Sequence, residues 1–142
     1  MPDLTVLGAS AVCPAPGGAC SSYLLRHGET RIVLDCGPGS LPNLRRAADY
    51  RAVSAVVLSH LHADHLLDLI PYQYGLRYGP GAHAAQRPVP LWVPPGGAAH
   101  LEALGAVVGF QAEFFADTFD VREYDPAARL EIGGVALTFA PM

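Results

Sequence analysis

The feature that most constrains this chain is a junction: the run Ala55-Val56-Val57-Leu58-Ser59 ends abruptly in His60-Leu61-His62-Ala63-Asp64-His65. A short apolar run rich in β-branched residues suits a strand buried on both faces, and four metal-ligand side chains then crowd its end. In extended chain, alternate side chains share a face, so His60 and His62 can hold one ion through imidazole nitrogens. Asp64 and His65 fall where the chain should turn and can face a second ion beside the first. Imidazole and carboxylate suit zinc, manganese or iron, and no thiolate lies in the run to bias the choice. Two ions roughly 3.5–4 Å apart generate a bridging hydroxide at neutral pH and clamp the oxygens of an ester undergoing displacement. Two blander readings compete. A solvated polar loop would show this spacing by chance only on the order of once in a thousand sequences; a structural metal usually takes four ligands and favours Cys.

The flanking pattern predicts an α/β layered fold. Leu4–Leu7, Ser22–Arg26 and Arg31–Asp35 read as strands, the first two separated by the Pro- and Gly-rich loop 9–20 and the last two by the hairpin signal His27-Gly28-Glu29-Thr30. Ser40 is the expected N-cap of a helix over Leu41–Asp49. After the motif, Leu66–Tyr78 is expected to be helical, interrupted at Pro71, with Leu66, Leu69, Ile70 and Tyr74 on one face. Gly79–Pro90 reads as a surface connection, Leu91-Trp92-Val93 as a short strand and Ala98–Leu104 as a helix. The aromatic residues Phe114, Phe115, Phe119 and Tyr124 are expected to pack a core rather than stack on bases. Arg129–Ile132 and Val135–Phe139, around Gly133-Gly134, form a last hairpin.

His-x-His-x-Asp-His after a buried strand resembles the signature of the metallo-β-lactamase superfamily of hydrolases. Leu4-Thr5-Val6-Leu7-Gly8-Ala9-Ser10, Ser21-Ser22-Tyr23-Leu24-Leu25 and Ile32-Val33-Leu34-Asp35-Cys36-Gly37-Pro38-Gly39 are similar to its branch containing ribonuclease Z and related phosphodiesterases. The resemblance implies an αβ/βα sandwich of four layers and a site with two divalent metal ions, zinc first and manganese or iron as alternatives. It places His60 and His62 on the first ion and Asp64 and His65 on the second, with Asp64 also steering the attacking hydroxide. Asp35 would orient a metal ligand from behind. Members of the family need a third His, a bridging Asp and a last His further on, whereas this chain ends at Ala140-Pro141-Met142. Residues 1–142 are therefore expected to be one incomplete hydrolase domain, its N-terminal half to two-thirds. An apolar inner face left without its second sheet predicts a homo-oligomer.

A net charge of −4 with scattered arginines gives no basic footprint, and Arg45-Arg46 reads as a solvated helix face. Nucleic acid is thus not the favoured partner, and a small phosphoester is. The implied activity is a metal-dependent phosphodiesterase acting on a small phosphodiester or cyclic nucleotide through a metal-bound hydroxide. Alternatives are a tRNA 3′-processing endonuclease, a carboxylic-ester or lactam hydrolase, or an inactive metal-binding or assembly fragment. No apolar run approaches the roughly 18 residues of a membrane span, and no signal peptide is apparent. Three cysteines without a C-x-x-C pair point to a reducing cytoplasm, with Cys36 a small buried hydrophobe rather than a nucleophile. His83 and His100 are expected at the surface and His27 in a turn.

Overall fold

Strong alternation and β-branching in the first third of the chain give a sheet whose two faces are both apolar. The computed structural model describes residues 1–82 and 87–141, so His83 lies outside the described residues. Strands β1 (Asp3–Gly8), β2 (Ser22–His27) and β3 (Thr30–Leu34) pair antiparallel, and β4 (Ala55–Val57), β5 (Val89–Val93) and β6 (Phe119–Glu123) continue in parallel, in the order β1-β2-β3-β4-β5-β6. Gly28, at φ 57°, closes the β2–β3 hairpin where the sequence signals it. The register Val33↔Val56↔Leu91 lines one face and Ile32 and Val57↔Trp92 the other. Pro90 is tolerated inside β5 because pairing with β4 begins only at Leu91, leaving Pro90 paired on the β6 side alone.

One face carries helices α1 (Ser40–Ala47), α3 (Leu69–Tyr78) and α4 (Gly97–Val108) over a core containing Leu24, Val33, Leu44, Val56, Leu58, Leu69, Tyr72, Leu91 and Phe119. Each fully buried leucine there contributes about 1.5–3 kcal/mol relative to exposure. The opposite face, around Ile32, Val57 and Tyr124, is covered by a separate hairpin of β7 (Leu130–Ile132) and β8 (Val135–Leu137), with Phe139 stacked on Tyr124 at 3.9 Å and 5° between ring planes. This is a mixed α/β arrangement with helices on one face of the six-stranded sheet and a two-stranded sheet on the other. All four aromatic residues at 114, 115, 119 and 124 are buried, as the composition of that stretch predicts, and the last five residues before Tyr124 form a strand that its aromatic richness did not reveal.

Three local expectations need correction. Ser40 is the first residue of α1, not its cap: Gly39 precedes it in the left-handed region, and the Leu41 amide donates to the buried Asp68 carboxylate at 2.7 Å. The same helix stops at Ala47, and Asp49 instead caps a 3-10 turn over Tyr50–Ala52 by accepting from the Arg51 amide. The helix expected over Leu66–Tyr78 is two helices: α2 (Ala63–Leu66) begins inside the motif, and α3 follows a break at Leu67-Asp68 rather than at Pro71, which sits in the first turn of α3 where a missing N–H costs nothing. That break changes the helical phase, so Tyr72, Gln73 and Leu76 face the core beside Leu69 while Tyr74 is exposed. Strand β5 and helix α4 are each longer than expected. Arg45, Arg46 and His100 are exposed, His27 ends β2, and no described helix is long and apolar enough to cross a membrane.

Candidate metal centre

The buried strand β4 ends at Val57, and the chain leaves the sheet through Leu58 and Ser59 into the histidine-rich turn. Two contacts fix that exit. The Leu58 amide donates to the Trp92 carbonyl at 2.8 Å, continuing the parallel ladder, and the Tyr124 hydroxyl, arriving from the end of β6, lies 3.0 Å from the Leu58 carbonyl and 3.1 Å from that of Ser59. Burial and the nearby Asp35 charge push the Tyr124 hydroxyl above its ordinary pKa, so it remains a donor.

The neighbouring loop after β3 supplies the site's buried charge. Asp35 takes up φ 60°, a left-handed conformation that aspartate tolerates better than bulkier side chains, and its amide still donates to Val57 at 2.9 Å. The loop is stitched to the turn on both sides: the Cys36 amide donates to the His65 carbonyl at 2.7 Å, and the Asp68 amide donates to the Cys36 carbonyl at 3.0 Å. Gly37 has no room for a side chain, since a Cβ there would collide with the Asp64 carbonyl oxygen and lie 2.8 Å from the Cys20 Cβ. Cys36 is buried, and burial together with the Asp68 charge pushes its thiol far above its ordinary pKa, so it stays a protonated, inert group as expected.

The side chains of the motif converge on Asp35. Its Oδ1 accepts the Ser59 amide at 2.7 Å; its Oδ2 lies 2.7 Å from both Ser59 Oγ and His65 Nδ1. Ser59 Oγ also lies 2.9 Å from His60 Nδ1. The His60 ring is 3.8 Å from the His65 ring and 4.8 Å from the His62 ring, centroid to centroid, and His65 Nε2 is 3.3 Å from Asp64 Oδ2. Burial, and then the neighbouring His65 ring, hold His60 below the usual imidazole pKa, which favours the neutral form that a metal requires.

The structure thus gathers the three imidazoles and Asp64 at one turn with Asp35 behind them, in pairs rather than as a closed shell. Among the described residues, no group of three or more His, Cys, Asp or Glu has the geometry of a finished ion site. The donor chemistry nevertheless fits divalent metal. With Nδ1 held by Asp35, His65 turns Nε2 toward the Asp64 carboxylate, an imidazole nitrogen beside a carboxylate oxygen of the kind that holds a divalent cation. Ser59 and Tyr124 escaped sequence reasoning. Ser59 could have been noticed as the last polar position before the first His, but nothing local marks Tyr124, 65 residues from Ser59.

Comparison with known proteins shows the family and the fold. A family model described as the beta-lactamase superfamily domain matches residues 30–142. The chain is 37% identical over 139 residues to an uncharacterised protein of Mycobacterium tuberculosis, covering 97% of this chain and 49% of that protein. It is 34% identical over 153 residues to ribonuclease Z of Mycobacterium marinum, covering 99% and 54% respectively. Its fold superposes on the crystal structure of the metallo-β-lactamase fold protein YhfI from Bacillus subtilis with a TM-score of 0.81 at 24% identity, over 99% of this chain and 52% of that one. The chain spans about half the length of the curated relatives it matches.

Proposed function

This chain belongs to the metallo-β-lactamase superfamily, and from that premise we propose that its histidine turn is one half of a two-metal hydrolase site that cleaves small phosphodiesters or cyclic nucleotides. The observation that carries this reading is the pairing of His65 Nε2 with Asp64 Oδ2 at 3.3 Å while His65 Nδ1 is tied to Asp35. His60 and His62 would hold the first ion, and Asp64 and His65 the second. Bound zinc, or manganese or iron in its place, supplies a water acidic enough to attack at neutral pH and positive charge for the phosphoryl oxygens. The chain's own residues do the rest. Asp35 keeps the His65 ring in place, the depressed basicity of His60 keeps it unprotonated, and Asp64 has a carboxylate able to accept a hydrogen bond from the attacking water.

A phosphodiester is favoured over other esters by the ribonuclease Z relative. A small substrate is favoured over tRNA by the net charge of −4 and the absence of a basic patch in the sequence. The three cysteines are free, consistent with the reducing cytoplasm that forms part of the same proposal. The test is turnover by the protein at its full encoded length, loaded with zinc or manganese, against bis-p-nitrophenyl phosphate, a tRNA precursor and a lactam in parallel. Metal-dependent cleavage of the first alone is expected; cleavage of only the lactam or only the tRNA would move the substrate class, and no turnover of any would remove hydrolysis.

A second reading is favoured by one observation: the donors stand in pairs, with no finished ion site among the described residues. Residues 1–142 by themselves would then be a metal-binding or assembly half that needs further donors. Metal analysis of the isolated chain separates the two, since two tightly retained ions would contradict this second reading.

A further inference from the structure

We propose that Ser59 is a positioning residue that, together with Asp35, fixes which nitrogen of His60 carries its proton, so that one carboxylate orients a histidine of each metal pair. The inference rests on the two-metal reading for its consequence but on hydrogen bonds alone for its geometry.

Counting protons decides the arrangement. Asp35 is acceptor-only when ionised. Its Oδ2 lies 2.7 Å from Ser59 Oγ, a separation that requires a proton between the two oxygens, and Ser59 must supply it. A hydroxyl has a single proton, so toward His60 Nδ1 at 2.9 Å the same oxygen can only accept. His60 therefore carries its proton on Nδ1 and turns the Nε2 lone pair outward. The reverse assignment, with Ser59 donating to His60, would leave two oxygen acceptors at 2.7 Å with nothing between them. His65 reaches the same state directly, donating Nδ1–H to Asp35 Oδ2. The Ser59 amide, held by Asp35 Oδ1 at 2.7 Å, and the Tyr124 hydroxyl on the Ser59 carbonyl fix the backbone from which the serine hydroxyl reaches both partners.

The consequence is a division of labour. Asp35 acts on both proposed ion sites, on His65 by contact and on His60 through Ser59. Ser59 acts only on the His60 and His62 pair. Loss of such an outer partner typically weakens metal binding about 10–100-fold. Ser59→Ala is thus expected to weaken the first ion by about that factor while leaving the ion at Asp64 and His65 unchanged, whereas Asp35→Asn weakens both.

The experiment is long-range 1H–15N NMR of histidine-labelled chain without metal, at a pH well above the usual imidazole pKa of about 6.5, followed by zinc titration. Both His60 and His65 are expected as the Nδ1–H tautomer in the unsubstituted protein, a measurement that needs no variant to fold. In Ser59→Ala, His60 is expected to shift toward Nε2–H while His65 keeps its signals; Ser59→Thr, which retains the hydroxyl, restores His60. An Nε2–H His60 in the unsubstituted chain, or an unchanged His60 in a folded Ser59→Ala, would overturn the proposal. The zinc titration, repeated on the protein at its full encoded length, fails separately: correct tautomers with no zinc uptake there would refute the two-metal reading and leave the relay standing.

Discussion

Gly37→Ala adds one methyl group at the point where the loop after β3 passes the histidine turn. Gly37 lies outside the left-handed region, so alanine introduces no backbone strain there and the effect is one of space alone. The space is filled: the new Cβ would collide with the Asp64 carbonyl oxygen and stand 2.8 Å from the Cys20 Cβ and 2.9 Å from the Cys20 carbonyl carbon. Backbone closes in from two directions, and neither can yield cheaply. Cys20 is fixed by its amide donating a hydrogen bond to the Pro38 carbonyl at 2.9 Å, and the turn by the Cys36 amide donating to the His65 carbonyl at 2.7 Å. Overpacking of this kind typically costs about 1–3 kcal/mol, and displacement of the turn that relieves it would break the Asp35–His65 contact. Urea denaturation of the two proteins is the assay. A loss of about 2 kcal/mol or more with an unchanged m-value is expected, together with reduced zinc uptake. Gly37→Ala as stable as its parent to within about 0.5 kcal/mol, a typical surface effect, would refute the claim that this glycine is required for the loop and the turn to meet.

Other outcomes follow from the same contacts. Tyr124→Phe removes the hydroxyl shared by the Leu58 and Ser59 carbonyls but keeps the stack on Phe139, so it should cost about 1–2 kcal/mol and lower the thermal midpoint by several degrees; an unchanged melting curve would show that the hydroxyl anchors nothing. In native protein a disulfide reagent should modify Cys13 alone, because Cys20 and Cys36 are buried and burial holds the Cys36 thiol protonated; rapid labelling of Cys36 would contradict its assigned place. Leu4 and Val6 on edge strand β1 are 57% and 58% exposed, an apolar edge that should drive the isolated 142-residue chain to associate; a strictly monomeric species by light scattering would count against that.

The sequence discloses those parts of the fold whose signal is local. The β2–β3 hairpin is written in Gly28, the buried β4 in three successive apolar residues, and the histidine turn in its own spacing. What escapes is set by distant partners. Ser40 looks like a cap, yet Asp68, 27 residues on, takes the Leu41 amide, because the loop after β3 and the start of α3 are packed together. Pro71 looks like a helix breaker, but only inside a helix; with the break already at Leu67-Asp68 it occupies a harmless first turn. Strand β6 is hidden because Asp120, Arg122 and Glu123 give it polar character on an edge, where charge discourages further pairing. At the site, the four motif residues and Asp35 were legible as candidates, whereas the network joining them through Ser59 depends on a left-handed Asp35 that no composition or periodicity announces.

Anomalous diffraction at the zinc edge from crystals of the chain grown with zinc tests most directly whether this turn gathers cations. A peak is expected about 2.0–2.2 Å from His65 Nε2 and an Asp64 carboxylate oxygen, with Asp35 still bonded to His65 Nδ1. Zinc bound elsewhere on the protein, with no peak at the His60–His65 turn, would contradict the assignment.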